Sequence, residues 1–127
     1  MAVVVLDDCA FTTAILKSLA GARGEREVAT FTEPRSALSY LERNRALLII
    51  ADCSMPEMDG LEFTRAVREQ ELHRDTPVVM VSGVEDPAIP RMAAEAGASA
   101  FVAKPVNMAR FKALVTEIIE RGRRPAA

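Results

Sequence analysis

Hydrophobic residues in this chain follow two alternating rhythms. Unbroken apolar runs stand at Val3 to Leu6, Leu47 to Ala51 and Ala100 to Val102, the last ending in Ala103. A run without polar alternation is the pattern of a parallel strand buried on both faces. Shorter runs predict two more strands, over residues 27–31 and 77–81. Between the strands the spacing becomes helical. Phe11, Ile15, Leu16 and Leu19 predict a helix to about Arg23, ended by Gly21 or Gly24. Thr32 is the expected cap of a second helix, with Pro34 in its first turn and Leu38, Tyr40 and Leu41 carrying it to about Arg43. Met55 to Gly60 reads as a loop, and Leu61, Phe63, Ala66 and Val67 as the stripe of a charged helix reaching about Leu72. Between Gly83 and Gly97 the pattern is less regular. Asp86 and Pro87 can start a helix, but Pro90 would remove a ladder bond, so a late or irregular first turn is expected, with Gly97 as the stop. Asn107 is predicted to cap a last helix from Met108 to about Arg121, its apolar face made by Phe111, Leu114, Val115, Ile118 and Ile119. Residues 122–127 are polar and proline-broken, and read as a tail or the start of a linker after a domain covering residues 1–121.

Strands separated by single helices make βαβ units. The fold class expected is α/β, a five-stranded parallel sheet in the flavodoxin-like order 2-1-3-4-5 with helices on both faces. In that order the first and third strands are neighbours. Asp7 and Asp8 follow the first, Asp52 the third and Lys104 the fifth. Such sheets gather ligands at the carboxyl ends of their strands, so three carboxylates and one amine are predicted to meet at one edge. Crowded carboxylates repel one another unless a cation sits among them. Oxygen ligands suit a hard ion, and Mg²⁺ commonly takes one or two carboxylates and keeps water for the rest. The arrangement suggests a metal-held phosphate beside a carboxylate nucleophile.

The chain has 127 residues, half of them hydrophobic, and a net charge of −2. That is one domain with a real core and no surface broadly suited to nucleic acid. No apolar run reaches the length of a membrane span, and no basic region precedes an apolar one at the N-terminus, so a cytoplasmic location is expected. Cys9 and Cys53 fit neither a disulfide framework nor a zinc spacing, and are expected to be free thiols. Each directly follows an acid of the expected site, where a redox role is the alternative to simple packing.

Taken in order, Asp7-Asp8, Asp52 with Met55-Pro56 and Asp59-Gly60, Ser82-Gly83 and Lys104-Pro105 resemble the receiver domain of two-component response regulators, over nearly the whole chain from Val3 to about Arg121. The resemblance implies that Asp52 accepts a phosphoryl group from a phosphohistidine of a sensor kinase or phosphotransfer protein. It implies that Asp8 and Asp52 bind Mg²⁺ directly, Asp7 largely through water, and that the backbone carbonyl of Ser54 is a further ligand. Lys104 would pair with one phosphate oxygen and Ser82 with another. Phe101 would be the aromatic that reports the state of the site, switching a face built from the helix after Pro90, the fifth strand and the last helix. The implied partners are a kinase and a downstream effector, with no direct nucleic acid and no membrane. A phosphorylation-dependent dimer is compatible with the same reading.

Each motif also has an ordinary reading. Asp7-Asp8 can simply cap a helix, and Lys104 can be solvated. With three lysines against thirteen arginines in the chain, a lysine at this position is informative, because an ammonium suits a single phosphate oxygen. Met55, Met58, Met80, Met92 and Met108 read as packing or loop residues. His73, at a helix end among charges, is expected to be solvated, and Arg121 to Arg124 to suit the negative end of their helix. Ser54 and Val84, two residues beyond Asp52 and Ser82, carry no acid or amide to orient an attacking water, so slow loss of phosphate is expected. Three other classes compete. An aspartate-nucleophile phosphatase would want an acid at Ser54. A flavodoxin would want a hydroxyl- and glycine-rich loop where Asp7-Asp8 stands. A receiver-like module that signals without phosphorylation would not need the acids and Lys104.

Overall fold

A computed structural model describes residues 2–7, 27–52, 59–83, 86–104 and 106–123. The predicted helix over residues 11–23, the loop after Met55, Asp8, Cys9, Cys53, Ser54 and Val84 lie outside the described residues. The strands are β1 (Ala2–Leu6), β2 (Val28–Phe31), β3 (Ala46–Asp52), β4 (Val78–Ser82) and β5 (Ala100–Ala103). They form one parallel sheet in the order β2-β1-β3-β4-β5. The described helices are α1 (Pro34–Arg43), α2 (Gly60–Glu69), α3 (Ile89–Ala96) and α4 (Met108–Arg123).

Successive residues of each strand point to opposite faces, and both faces are covered. Val4, Leu6, Ile49, Ala51, Val78 and Met80 pack with Leu41 of α1, Phe63 of α2 and Ala93 of α3. On the other face Val3, Val5, Leu48, Ile50, Val79 and Val81 pack with Phe111, Val115 and Ile119 of α4. Each buried Val, Leu, Ile or Phe contributes about 1.5–3 kcal/mol, so β1, β3 and β4 are held from both sides. β5 departs from the two-faced burial its sequence suggested. It is the edge strand, and its residues are half-buried or exposed.

The helix ends follow local chemistry. Pro34 occupies the first turn of α1 and forces the residue before it into an extended conformation. The cap is therefore Glu33, with φ −120° and ψ 129°, and not Thr32. Asp59 caps α2, its Oδ1 accepting from the Glu62 amide at 2.8 Å. Thr64 is buried because its hydroxyl donates to the Gly60 carbonyl one turn back, at 2.7 Å. As the two prolines imply, α3 begins late. Its cap, Ala88, has helical angles and no side-chain cap, and a left-handed Gly97 (φ 108°) ends it. Asn107 caps α4 through its Oδ1 and the Arg110 amide at 3.0 Å. α4 runs on to Arg123, two residues past the expected end, with Arg121 paired to Glu117 one turn earlier.

The largest correction lies after α2. The helix does not reach Leu72. It stops at Glu69, Gln70 is extended, and a 3-10 turn follows over Glu71–His73. That turn carries His73 into the interior, fully buried, where a solvated side chain was expected. Its Nε2 lies 2.8 Å from the Leu41 carbonyl and 3.1 Å from that of Asn44. Carbonyls only accept, so Nε2 carries a proton, and Nδ1 lies 2.9 Å from the Thr76 hydroxyl. Gln70 Nε2 donates to the Leu38 carbonyl at 3.1 Å. The end of α1, which leaves unpaired carbonyls in any helix, is thus capped from the turn after α2. Arg68 completes this corner by donating to the carbonyls of His73, Thr76 and Gly97. Burial lowers the basicity of its guanidinium and Asp75 opposes the change. Arginine stays charged in either case.

His73→Ala is expected to lower stability by about 2–3 kcal/mol, because two carbonyls lose a buried donor. Urea unfolding measures it, and an unchanged midpoint would return His73 to the solvated role.

Candidate functional site

The parallel register sets the geometry of the carboxyl edge. Leu6 pairs with Ala51, so Asp7 and Asp52 leave adjacent strands at the same level. Asp52 pairs with Val81 on β4, and Ser82 pairs with Ala103 on β5. Beyond the last pair, the Lys104 amide still donates to the Ser82 carbonyl at 2.7 Å. That bond continues the β4–β5 ladder one step past the strands and sets the Lys104 backbone at the carboxyl edge. Its Nζ reaches Asp52 Oδ2 at 2.9 Å.

All four side chains are unusually sheltered for polar groups. Asp7 is fully buried, Asp52 is 5% exposed and Ser82 1%. The Lys104 side chain is 29% exposed, so its ammonium joins the buried acids to solvent. Buried carboxylates that repel each other require compensation, and Lys104 supplies one positive charge for two acids. Among the described residues no group of three His, Cys, Asp or Glu stands together. The pair Asp7–Asp52 does, and Asp8 and Ser54, the other two metal positions named from the sequence, lie outside the described residues. All the donors named are oxygens, the set that suits a hard divalent ion.

Ser82 and Phe101 line one hollow of about 400 Å³, together with Gly83, Pro87, Pro90 and Lys104. Phe101 also borders a second hollow of about 340 Å³, shared with Asn107, Arg110, Phe111 and Leu114. Phe101 is half-buried, packs against the cluster that includes Ala93 and Ala96 of α3, and borders both hollows. Sequence reasoning brought Asp7, Asp52, Ser82, Lys104 and Phe101 to this region, and it missed Arg68 and His73. No local pattern marks either one, since their partners are backbone carbonyls far along the chain.

A five-stranded sheet of this order with acids and a lysine at its carboxyl edge defines a class of signalling domain. Residues 3–116 match the family model of the response regulator receiver domain, and the chain belongs to that family. It is 34% identical over 118 residues to the cyclic di-GMP phosphodiesterase response regulator RpfG of Xanthomonas campestris pv. campestris. That match covers 93% of this chain but only 31% of RpfG. The chain is 30% identical over 121 residues to the chemotaxis protein CheY of Pseudomonas aeruginosa, covering 95% of this chain and 98% of CheY. The receiver domain of the sensor histidine kinase PA1611 of Pseudomonas aeruginosa has the same fold, with a TM-score of 0.83 at 23% identity. The alignment covers 94% of this chain and 97% of that one, whose structure has a magnesium ion coordinated in the active-site cleft. Receiver domains are signalling modules of two-component systems and work with histidine kinases and effectors. Among the described residues no helix is long and apolar enough to cross a membrane.

Lys104→Met is expected to lower the stability of the metal-free protein by about 1–3 kcal/mol, since the buried Asp52 carboxylate loses its bond to the ammonium. Denaturant unfolding in EDTA measures this. An equal or higher midpoint would mean that Asp52 needs no fixed cation.

Proposed function

We propose that this domain is a phosphoacceptor, with Asp52 as the residue that takes the phosphoryl group. The observation that carries the reading is the Asp52–Lys104 pair, a sheltered carboxylate at a strand end bonded to an ammonium whose side chain is still partly open to solvent. A buried nucleophile facing a fixed cation suits transfer of an anionic group, because the cation stabilises charge on the oxygens in flight.

In this role an Asp52 carboxylate oxygen attacks phosphorus in line with the bond to a histidine nitrogen of the donor. The P–N bond breaks, and an aspartyl phosphate forms. Lys104 exchanges its bond to Asp52 for one to a phosphoryl oxygen. Ser82, at the end of the neighbouring strand, donates its hydroxyl to another. Mg²⁺ is the ion this reading assigns to the site; Asp8 and Asp52 would hold it directly, Asp7 largely through water, and the Ser54 backbone carbonyl would be a further ligand. The buried acid pair and its oxygen-only donors fit that ion. When bound, it neutralises phosphoryl charge and orients the group for attack.

The output is a change of surface, not turnover of a substrate. Ser82 moving toward the phosphate vacates room in the hollow it shares with Phe101. Phe101 is already half-buried, so burying the rest of the ring is worth about 1 kcal/mol, enough to shift a two-state balance several-fold. The surface that changes is the one formed by α3, β5 and α4. The domain is read as cytoplasmic, a sensor histidine kinase or phosphotransfer protein is the proposed donor, and an effector domain or protein the proposed reader. A phosphorylation-dependent dimer is compatible with this reading.

With acetyl phosphate and Mg²⁺, the intact mass is expected to rise by one phosphoryl group. EDTA is expected to abolish the gain, and so is Asp52→Asn. A phosphorylated Asp52→Asn protein would sink the assignment. A wild type that never gains mass would favour a module that signals without phosphorylation.

The switch has its own test. Beryllofluoride with Mg²⁺ should shift amide resonances near Asp52 and across residues 88–111. Shifts confined to the surroundings of Asp52 would leave Phe101 a fixed core residue.

A further inference from the structure

We infer that α3 is a lever hinged at its C-terminal end, with Arg68 as the positioning residue that fixes the hinge. The two ends of this helix are held very differently. At the C-terminal end, the guanidinium of Arg68 donates twice to the Gly97 carbonyl, from Nε at 3.1 Å and from Nη2 at 2.8 Å. The same guanidinium donates from Nη1 to the carbonyls of Thr76 at 2.7 Å and His73 at 2.8 Å. Planar forked donation of this kind fixes orientation as well as distance. The next residues are tied to the sheet. The Ser99 amide donates to the Val78 carbonyl at 2.7 Å, and the Val78 amide donates back to Ser99 Oγ at 3.2 Å. Gly97 is also closed against Arg68. A Cβ there would lie 2.9 Å from Arg68 Cγ, and the left-handed φ disfavours any side chain.

At the N-terminal end the bonds among the described residues close within the local turn. The Ala88 amide donates to Asp86 Oδ1 at 2.9 Å, and the Ile89 amide to the Asp86 carbonyl at 3.0 Å. Pro90 brings no amide hydrogen, and Ala88 offers no capping side chain. Packing is graded in the same direction. The fully buried residues of α3 are Ala93 and Ala96, in its later part; at the other end half-buried Ile89 still touches the core, while Pro90, Arg91 and Met92 are exposed. Two alanine methyls form a smooth contact that a small tilt does not break.

A lever of eight residues is about 12 Å long, so a tilt of about 10° at Gly97 moves the far end by about 2 Å. The far end carries Pro87 and Pro90, which wall the hollow above Ser82, Phe101 and Lys104. The lever therefore opens or narrows that hollow without disturbing the α2–β4 corner. This inference concerns the mechanics of the fold and stands whether or not Asp52 is phosphorylated.

Amide hydrogen exchange of the unmodified protein, without phosphoryl donor or metal, tests it. The Ala98 and Ser99 amides are expected to exchange about tenfold more slowly than those of Ile89 and Met92, whose bonds close on the mobile end. Arg68→Lys keeps the charge but removes the fork, and should shrink the gap to about threefold or less. His73→Gln weakens the same corner without touching the Gly97 carbonyl, and should leave the gap in place. Equal protection at both ends of wild-type α3 would overturn the hinge, and this arm needs no variant to fold. A gap that survives Arg68→Lys, or one that His73→Gln removes equally, would overturn the role of Arg68.

Discussion

Burial of the sheet on both faces is the constraint from which the rest of this structure follows. Along β1, β3 and β4 neither face can receive a charge, because each is packed against helices or against residues of the opposite cluster. Polar chemistry is left with the strand ends. A parallel sheet then sorts those ends, since every strand points the same way and all the carboxyl ends lie on one edge. Asp7, Asp52, Ser82 and Lys104, spread over most of the chain, share an edge because the segments before them share a direction. The strand order does the remaining work. It sets β1 beside β3, so the two acids are neighbours, and puts β5 one strand beyond β4, within reach of a lysine side chain.

Much of this was legible in the chain because the governing signal is strong and local. Three valines and a leucine before Asp7, or two leucines and two isoleucines before Asp52, leave little choice of structure. The late start of α3 and its stop at Gly97 were legible for similar reasons, since proline and glycine act on their own backbone. Smaller misreadings had local causes as well. Thr32 is the better capping residue by type, yet Pro34 dictates the geometry of Glu33 and so moves the cap. β5 has the composition of a central strand, and only its place at the edge of the sheet leaves it half-covered.

The α2 corner was not legible, and the reason is physical. His73, Gln70 and Arg68 are polar residues whose partners are backbone carbonyls of other elements. Every residue has a carbonyl, so no sequence pattern advertises which one lies across the interface. A histidine between Leu72 and Arg74 looks solvated until the helix is known to stop at Glu69. The stop exposes the end of α1 to the turn that follows, and the buried imidazole meets the donor requirement created there. Burial of polar side chains in this protein follows from unpaired helix ends as much as from the site.

Charge arithmetic connects the site to the rest of the molecule. The described edge holds two buried acids and one ammonium, so it is already acid-rich before anything binds. In the proposed role a phosphoryl group adds roughly −1.5 to −2 charges at neutral pH, and the edge can accept it only with a further cation and a redirected Lys104. Lys104 has three ammonium donors, and in this role it turns from the pair seen at 2.9 Å toward the incoming oxygen. Its amide stays tied to the Ser82 carbonyl, which means that the turn after β5 and the end of β4 feel the exchange together. Both border the hollow that Phe101 and Pro90 enclose. On one side of that hollow stands an edge strand with little cover, and on the other the loosely held end of α3. In the proposed role a change of charge at the buried edge is thus delivered to β5 and the Pro90 end of α3, while the Arg68 corner holds the Gly97 end still.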